Sequence, residues 1–588
     1  MNPDLMDNIR NGMNLGTVVL TAGESAAGVP PDTHDPKVYT AERFTGQRAA
    51  YAAMAGVPDK WQVTQIRFGA MRIELRTLVG RPGVRIAYLY LPDGGDPRSN
   101  LGKNSLTRLQ RDAAGKLCAQ VQTPSNSHHV PCYRHQDVVR ALTTLLGLFR
   151  PQVVRSQDSY PDARYQHDHS DHIAAARFAD EAVRDYAVRR PGILQVGYQD
   201  YSIMNYPENL TAQQHMDKSR FFQIYAQHDY RLPTHPTRYS LWPKRMRYRW
   251  PRGSAWLGKG PDGRTQAFVV SGGRLMVWWQ DAKAWHGPTV LGDGGSPLAQ
   301  AVRVNQTPGG PEVVALRPAT NEIVIARPQL KNGHWQIRWT SDGSPSPGSS
   351  GERIGVPTIV RDAKGKLLLF VRDARGGISV RCEADHKSTW HRLSHPLLRW
   401  EPPHDLRGKK NAHPPEPIAE APVVAPAVAR VSPTYEDLQD GIVAMTTGGG
   451  IDLFGETRTA VLHWRQSGPC AFTAAGSVLG AQPMSPLGLT LDAQGHSAVV
   501  YQQTGSMEVM QTTGSSATVY SGPVLEQTGE APVPVDSAVS LLGMSMIGAP
   551  SVVREGGHWV VYAIAADGRL YRTSQKTIGG FDPWQHLP

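Results

Sequence analysis

The sequence predicts two architectures in tandem: an α/β domain over residues 1–240 and an all-β propeller of about six blades over residues 255–588. A basic-aromatic connector at 241–254 joins them. Three observations carry this reading. Strand and helix patterns alternate up to about residue 240, which puts helices on the faces of a sheet. Helical periodicity then stops, and a strand-and-turn unit closed by an aromatic residue recurs. Glycine (58) and proline (46) both exceed average use, as many short turn-linked strands require.

The first half is read element by element. GTVVLTA at 16–22 is rich in β-branched residues and reads as a buried strand. A helix is expected over 41–56, with Phe44, Ala49, Tyr51, Ala52 and Ala55 on its apolar face and Gly56 closing it. Strands are expected at 61–68, 72–78 and 85–91; the last, RIAYLYL, ends in Pro92-Asp93-Gly94. Val138, Val139, Leu142, Leu145 and Leu148 recur at helical spacing over 136–148. A strand begins at 151–154, and helices are expected at 173–188 and 216–226.

The second half repeats. Pro357 leads through Leu369-Phe370-Val371 to Trp390, 33 residues on. Pro550 leads through Val560-Val561-Tyr562 to Trp584, 34 residues on, and Pro486 and Tyr520 are also 34 apart. Trp285 and Trp335 close two earlier copies, and Phe472 closes a degenerate one. The period and the four-strand content are those of a propeller blade. One long gap holds the Pro/Ala-rich stretch 401–432, read as an insertion. The alternative is a β-sandwich with coincidental Trp spacing, but the matched segments agree in order as well as in interval.

Composition excludes several classes. With 588 residues, 40% hydrophobic and 19% charged, the chain is not wholly disordered. It has no apolar run of about 18 residues, so no spanning helix is expected. No basic-then-apolar leader is visible at the start. The net charge of +11 is compatible with anionic partners. Lys244, Arg245, Arg247, Arg249 and Arg252, interleaved with Trp242, Tyr248 and Trp250, form the one basic cluster. It reads as a connector, with nucleic-acid binding as the minor alternative. Cys118 and Cys132 lie close in sequence and could pair in an oxidising compartment, whereas Cys382 and Cys470 are isolated.

Chemistry is densest at Tyr165-Gln166-His167-Asp168-His169-Ser170-Asp171-His172. A strand runs into this loop and an Ala-rich helix leaves it, so the cluster falls outside a strand's carboxyl end. Imidazole is a good zinc ligand, and a neighbouring carboxylate fixes its tautomer. A capped helix start explains the same residues without a metal. Gly23-Glu24-Ser25-Ala26-Ala27 approximates a nucleophile elbow, but Gly28-Val29-Pro30-Pro31 follows where a helix is needed.

Residues 14–230 resemble the LmbE-like or PIG-L family of zinc-dependent N-deacetylases. The resemblance is carried by Thr17 to Glu24, by Tyr39 to Gly56, by His169-Ser170-Asp171-His172 against the family's HPDH motif, and by Tyr198 to Tyr225 with Asn209 and Lys218. It implies a Rossmann-like fold, Zn2+ (or another divalent metal) as cofactor, and an N-acetylated sugar or glycoconjugate, such as one bearing N-acetylglucosamine, as substrate. His172 would be a metal ligand, His169 the oxyanion stabiliser or general acid, Asp171 its orienting partner, and Arg43 a substrate-binding group. An appended propeller is familiar in bacterial, often secreted or cell-surface, members of this family.

The family's His-Pro-Asp-Asp motif occurs nowhere here, and Met1-Asn2-Pro3-Asp4-Leu5 resembles the stretch just after it. His167 and Asp158 are the nearest substitutes. Two expectations follow: a start placed downstream of the true one, with an unpaired sheet position beside Val18, or a domain that has lost its metal. The functions that compete are a metal-dependent N-deacetylase and a carbohydrate-binding propeller with a relic catalytic domain. Trp278-Trp279 and the repeats favour the second, because aromatic faces stack on sugars.

Overall fold

The computed structural model describes the chain except residues 26, 69–70, 95–104, 113, 120–129, 161–167, 206–207, 209, 211, 233–239, 248–255, 283, 347–352, 384–388, 396–437, 439–440, 458–459, 480–486, 492–496, 504–505, 514–515, 521–523, 526–532, 535–550, 556–557, 565–568, 575–581 and 588. His167, Asn209, the 401–432 insertion and the distal part of the basic connector therefore lie outside the described residues.

The first half is an α/β domain. A short helix, α1 (Asp4–Arg10), precedes β1 (Leu15–Thr21). Then come α2 (Pro36–Ala55), β2 (Trp61–Phe68), β3 (Met71–Leu78) and β4 (Val84–Leu91). Asp35 caps α2 by accepting from the amides of Lys37 and Val38, and Gly56 closes it in the left-handed region, where a side chain would be strained. After α3 (Leu106–Arg111) the ribbon β5 (Leu117–Cys118) and β6 (Cys132–Tyr133) carries the Cys118–Cys132 disulfide. The domain continues with α4 (His135–Phe149), β7 (Val153–Gln157), α5 (Ser170–Arg189), β8 (Leu194–Tyr198) and α6 (Ala212–Ala226).

Strand order is β1-β4-β3-β2, with β1 parallel to β4, and β7 pairs in parallel with β8 in a second, two-stranded sheet. Among the described residues β1 is an edge strand, so the position beside Val18 on its side away from β4 has no ladder partner. The expected strands β2 and β3 are present and pair as an antiparallel hairpin. Leu20, Leu75, Leu89, Val138, Leu142 and Phe178 form the core between the larger sheet and helices α4 and α5.

Among the described residues, six four-stranded antiparallel meanders follow. Blade one is β9 (Leu257–Lys259), β10 (Thr265–Ser271), β11 (Arg274–Gln280) and β12 (Trp285–Gly292). Blade two is β13 (Val302–Thr307), β14 (Gly310–Arg317), β15 (Glu322–Lys331) and β16 (His334–Gly343). Blade three is β17 (Thr358–Arg361), β18 (Leu367–Arg372), β19 (Ile378–Cys382) and β20 (Trp390–Leu393). Blade four is β21 (Ile442–Thr447), β22 (Gly450–Glu456), β23 (Ala460–Gln466) and β24 (Phe472–Leu479). Blade five is β25 (Gly488–Leu491), β26 (Ser497–Gln503), β27 (Ser506–Thr513) and β28 (Ser516–Tyr520). A small ribbon, β29 (Val524–Leu525) and β30 (Val533–Pro534), precedes blade six: β31 (Ser551–Glu555), β32 (His558–Ile564), β33 (Leu570–Ser574) and β34 (Gln585–His586).

The first strand of each blade packs on the first strand of the next, through β9, β13, β17, β21, β25 and β31. Val560 and Tyr562 of blade six share a core with Phe268 and Val277 of blade one, which closes the ring. Each closing aromatic read from the sequence falls on or beside the fourth strand of its blade: Trp285, Trp335, Trp390, Phe472, Tyr520 and Trp584. The two halves of the chain are packed together. Leu194, Val196 and Tyr198 of β8 enter the blade-one core, and Gln300 accepts from the Gly197 amide at 2.8 Å. No described helix is long and apolar enough to cross a membrane.

Candidate functional site

Strands β1, β4, β7 and β8 end at one crevice, the position where α/β sheets hold ligands. Each delivers acidic or imidazole groups in the loop that follows: Glu24 after β1, Asp93 after β4, Asp168 and His169 after β7, Asp200 after β8. Glu24 Oε1 accepts from the Asp93 amide at 3.0 Å, and Asp171 Oδ2 accepts from the Gly94 amide at 2.5 Å. His169 Nε2 lies 3.8 Å from Asp93 Oδ1.

The start of α5 fixes the two histidines. His169 is extended (φ −60°, ψ 140°) and caps the helix, its Nδ1 accepting from the Asp171 amide at 3.2 Å. An accepting Nδ1 leaves the proton of a neutral ring on Nε2, which faces Asp93. Asp171 thus holds His169 through its main-chain amide. Its carboxylate turns instead to α3, with Oδ1 accepting from Thr107 N at 2.9 Å and Thr107 Oγ1 at 2.6 Å. His172 sits in the first turn of α5. Its Nδ1 lies 2.5 Å from Asp200 Oδ2. Gln157 Nε2 also donates to Asp200, at 2.7 Å. The rings of His169 and His172 are 5.3 Å apart. Tyr201 sits edge-on to His172 and stacks on Trp242 at 4.9 Å, forming an aromatic wall.

Charge in the crevice is tightly coupled. Burial opposes a charged His172, yet Asp200, Asp168 and Asp93 outweigh it and raise its pKa. Burial likewise opposes the Asp200 carboxylate, but the His172 partnership holds its pKa below the usual value. Burial and then the Asp200 charge push Asp168 up to about 6. Burial, reinforced by Asp93 and Asp171, pushes Glu24 up to about 7.

The structure therefore brings His169, Asp171 and His172 together. Arg43 is turned elsewhere: its Nε donates to Tyr225 Oη at 2.8 Å and lies 3.4 Å from Asp229, while Nη1 donates to the Gly23 carbonyl. These bonds tie α2 to the end of α6 and to the turn after β1. Asp158 is buried and accepts from the Tyr160 amide at 2.8 Å. Ser25 does adopt a left-handed turn (φ 53°), as an elbow would, but its Oγ accepts from Arg231, and among the described residues the next helix after it starts only at Pro36. Lys218 Nζ donates to the Arg245 carbonyl at 2.6 Å. Sequence reasoning missed Asp93 and Asp200 as members of the site, whereas Asp168 lies within the loop it singled out. The available signal was that Asp93 and Asp200 each come two residues after a strand.

A zinc ion fits this set only in part. Asp200 on Nδ1 leaves Nε2 of His172 as a ligand atom with a carboxylate behind it, the usual outer-shell arrangement. Among the described residues, however, His172 belongs to no cluster of three metal-competent groups. The one such cluster is Asp93, His169 and Asp171, whose donor atoms lie within 4.8 Å of each other. His169 there carries its proton on Nε2, and the Asp171 oxygens already accept three hydrogen bonds. A closed zinc site is not assembled.

The propeller offers a second site. Trp279 on β11, half-buried, stacks on His286 at 4.3 Å, and the Arg264 guanidinium lies 5.6 Å from its centroid. His286 Nε2 pairs with Asp281 at 2.7 Å. An indole thus sits among a carboxylate, an imidazole and an exposed guanidinium at the outer edge of blade one.

No protein-family model matches the chain, and no curated protein matches it. Solved lectins do. SapL1 lectin in complex with alpha methyl fucoside matches at 11% identity over 58% of this chain and 97% of that one, with a TM-score of 0.35. The Aleuria aurantia fungal lectin, described as a six-bladed β-propeller with a novel fucose recognition mode, matches at 13% identity over 56% and 94%, TM-score 0.34. BP39L lectin from Burkholderia pseudomallei matches at 18% identity over 57% and 99%, TM-score 0.31. At scores of this size the blade count stands on the six sheets themselves.

Proposed function

We propose that the chain is a carbohydrate-binding protein whose propeller presents the glycan site. The observation that supports this is the Trp279 cluster. An indole face takes the apolar face of a sugar ring, and the groups around it match hydroxyls: Asp281 accepts, Arg264 donates, His286 does either. The test is a glycan array probed with the full chain, including fucosides and N-acetylglucosamine conjugates. Trp279→Ala should lower binding at least about tenfold, the scale of one lost anchor residue. A wild-type chain that binds no glycan overturns the reading.

A second reading, N-deacetylation, is favoured by the His172–Asp200 pair at the mouth of the parallel strands. Zinc, when bound, would polarise an amide carbonyl and acidify a water. The chain's own part is narrower: Asp200 orients His172, and His169 presents an Nε2 proton to an oxygen in the crevice. Release of acetate from N-acetylglucosamine conjugates, abolished in His172→Ala, supports it. A zinc-supplemented protein that releases none counts against it.

A further inference from the structure

We infer that the guanidinium of Arg303 forms an internal anion site at the inner edge of blade two, taking a small oxyanion such as a carboxylate, phosphate or sulfate. Arg303 lies on β13, one of the six strands that pack on each other around the ring. It is 1% exposed, and Nε, Nη1 and Nη2 all lack a hydrogen-bond partner among the described residues. A guanidinium removed from water without an acceptor is among the costliest groups to bury, and its planar fork of donors matches a bidentate oxyanion.

The neighbouring acid is already spent. Arg303 pairs with Val314 and Asn305 with Glu312, which puts Arg303 and Glu312 on one face of blade two. Glu312 Oε1 accepts from Arg327 and Arg361, and Oε2 accepts from Arg361 and Asn305. Four accepted bonds fill a carboxylate. Another deeply buried arginine, Arg372, is treated differently: it donates to the Asp373 carbonyl. The remaining charge that Arg303 feels is Glu456, at the end of β22, and its pull does not offset burial, which lowers the Arg303 pKa to about 10. A water would satisfy donors but add no charge to the partial compensation that Glu456 supplies.

The test uses the full chain at fixed ionic strength, titrated with acetate, phosphate or sulfate while thermal unfolding is followed. A saturable rise in Tm is expected, about 2 °C at a hundredfold excess over Kd. Arg303→Met should be insensitive to the same titration. A rise of equal size and slope in both proteins, or none in the wild type, overturns the inference. If Arg303→Met does not fold, crystals of the wild type grown in selenate decide. A selenium anomalous peak whose attached oxygens lie within hydrogen-bond distance of Arg303 supports the site, and water alone there overturns it.

Discussion

Asp171 and Thr107 are joined by two hydrogen bonds, from the Thr107 amide at 2.9 Å and from its hydroxyl at 2.6 Å, to one carboxylate oxygen. The pair fastens the start of α5 to the start of α3, and with the Gly94 bond it fixes the loop after β4. Asp171→Ala leaves buried donors without an acceptor. It should destabilise the protein by about 2–4 kcal/mol, read as a lower denaturation midpoint.

The His172–Asp200 pair gives a readout free of any substrate. NMR titration should find the His172 imidazole protonated to a higher pH than an ordinary histidine. Asp200→Asn removes the largest raising influence and should bring that pKa down.

Between blades two and three, Glu312 is shared by Arg327 and Arg361. Burial opposes its charge, but the two guanidiniums outweigh it and hold its pKa below the ordinary glutamate value. A depressed folded pKa gives stability that is complete above the unfolded value of about 4.3 and is lost as pH falls through the folded one. Glu312→Gln should therefore cost about 3 kcal/mol near neutral pH, and the gap to wild type should shrink in acid.

The Cys118–Cys132 bridge spans 14 residues of sequence. Loop closure of that length is worth about 3 kcal/mol. Reduction, or a Cys118→Ser, Cys132→Ser double variant, should lower Tm without altering blade strand content by circular dichroism.

Gly16 lies on β1 directly under the Phe149 ring, and a Cβ there would overlap its atoms. Gly16→Val should cost about 1–3 kcal/mol by overpacking, and trimming the ring in a Phe149→Leu background should recover part of it.

How far all this was legible differs between the halves. The blades were readable because a period survives divergence: Trp285, Trp335 and Trp390 mark fourth strands whatever lies between. In the first half, helices α2, α4 and α5 announced themselves through apolar spacing and caps. The seven-residue α1 and the six-residue α3 are too short to show a period and were missed. So was β8, whose five fully buried residues do not alternate. At the crevice, the histidines stood out because two lie three apart on one helix start. Asp93 and Asp200 did not, since single acids after strands resemble any turn. Which oxygen meets which ring nitrogen is a tertiary fact: Asp171, two residues from His169 in sequence, aims its carboxylate at Thr107.

Because β8 shares its hydrophobic interior with blade one, the chain has no clean seam at which to be cut. Severing it near residue 250 would leave Leu194, Val196 and Tyr198 bare on one fragment and Phe268 and Val277 bare on the other. Calorimetry should accordingly register the crevice half and blade one melting in a single cooperative event, so that whatever tightens the ring also steadies the loop bearing Asp200.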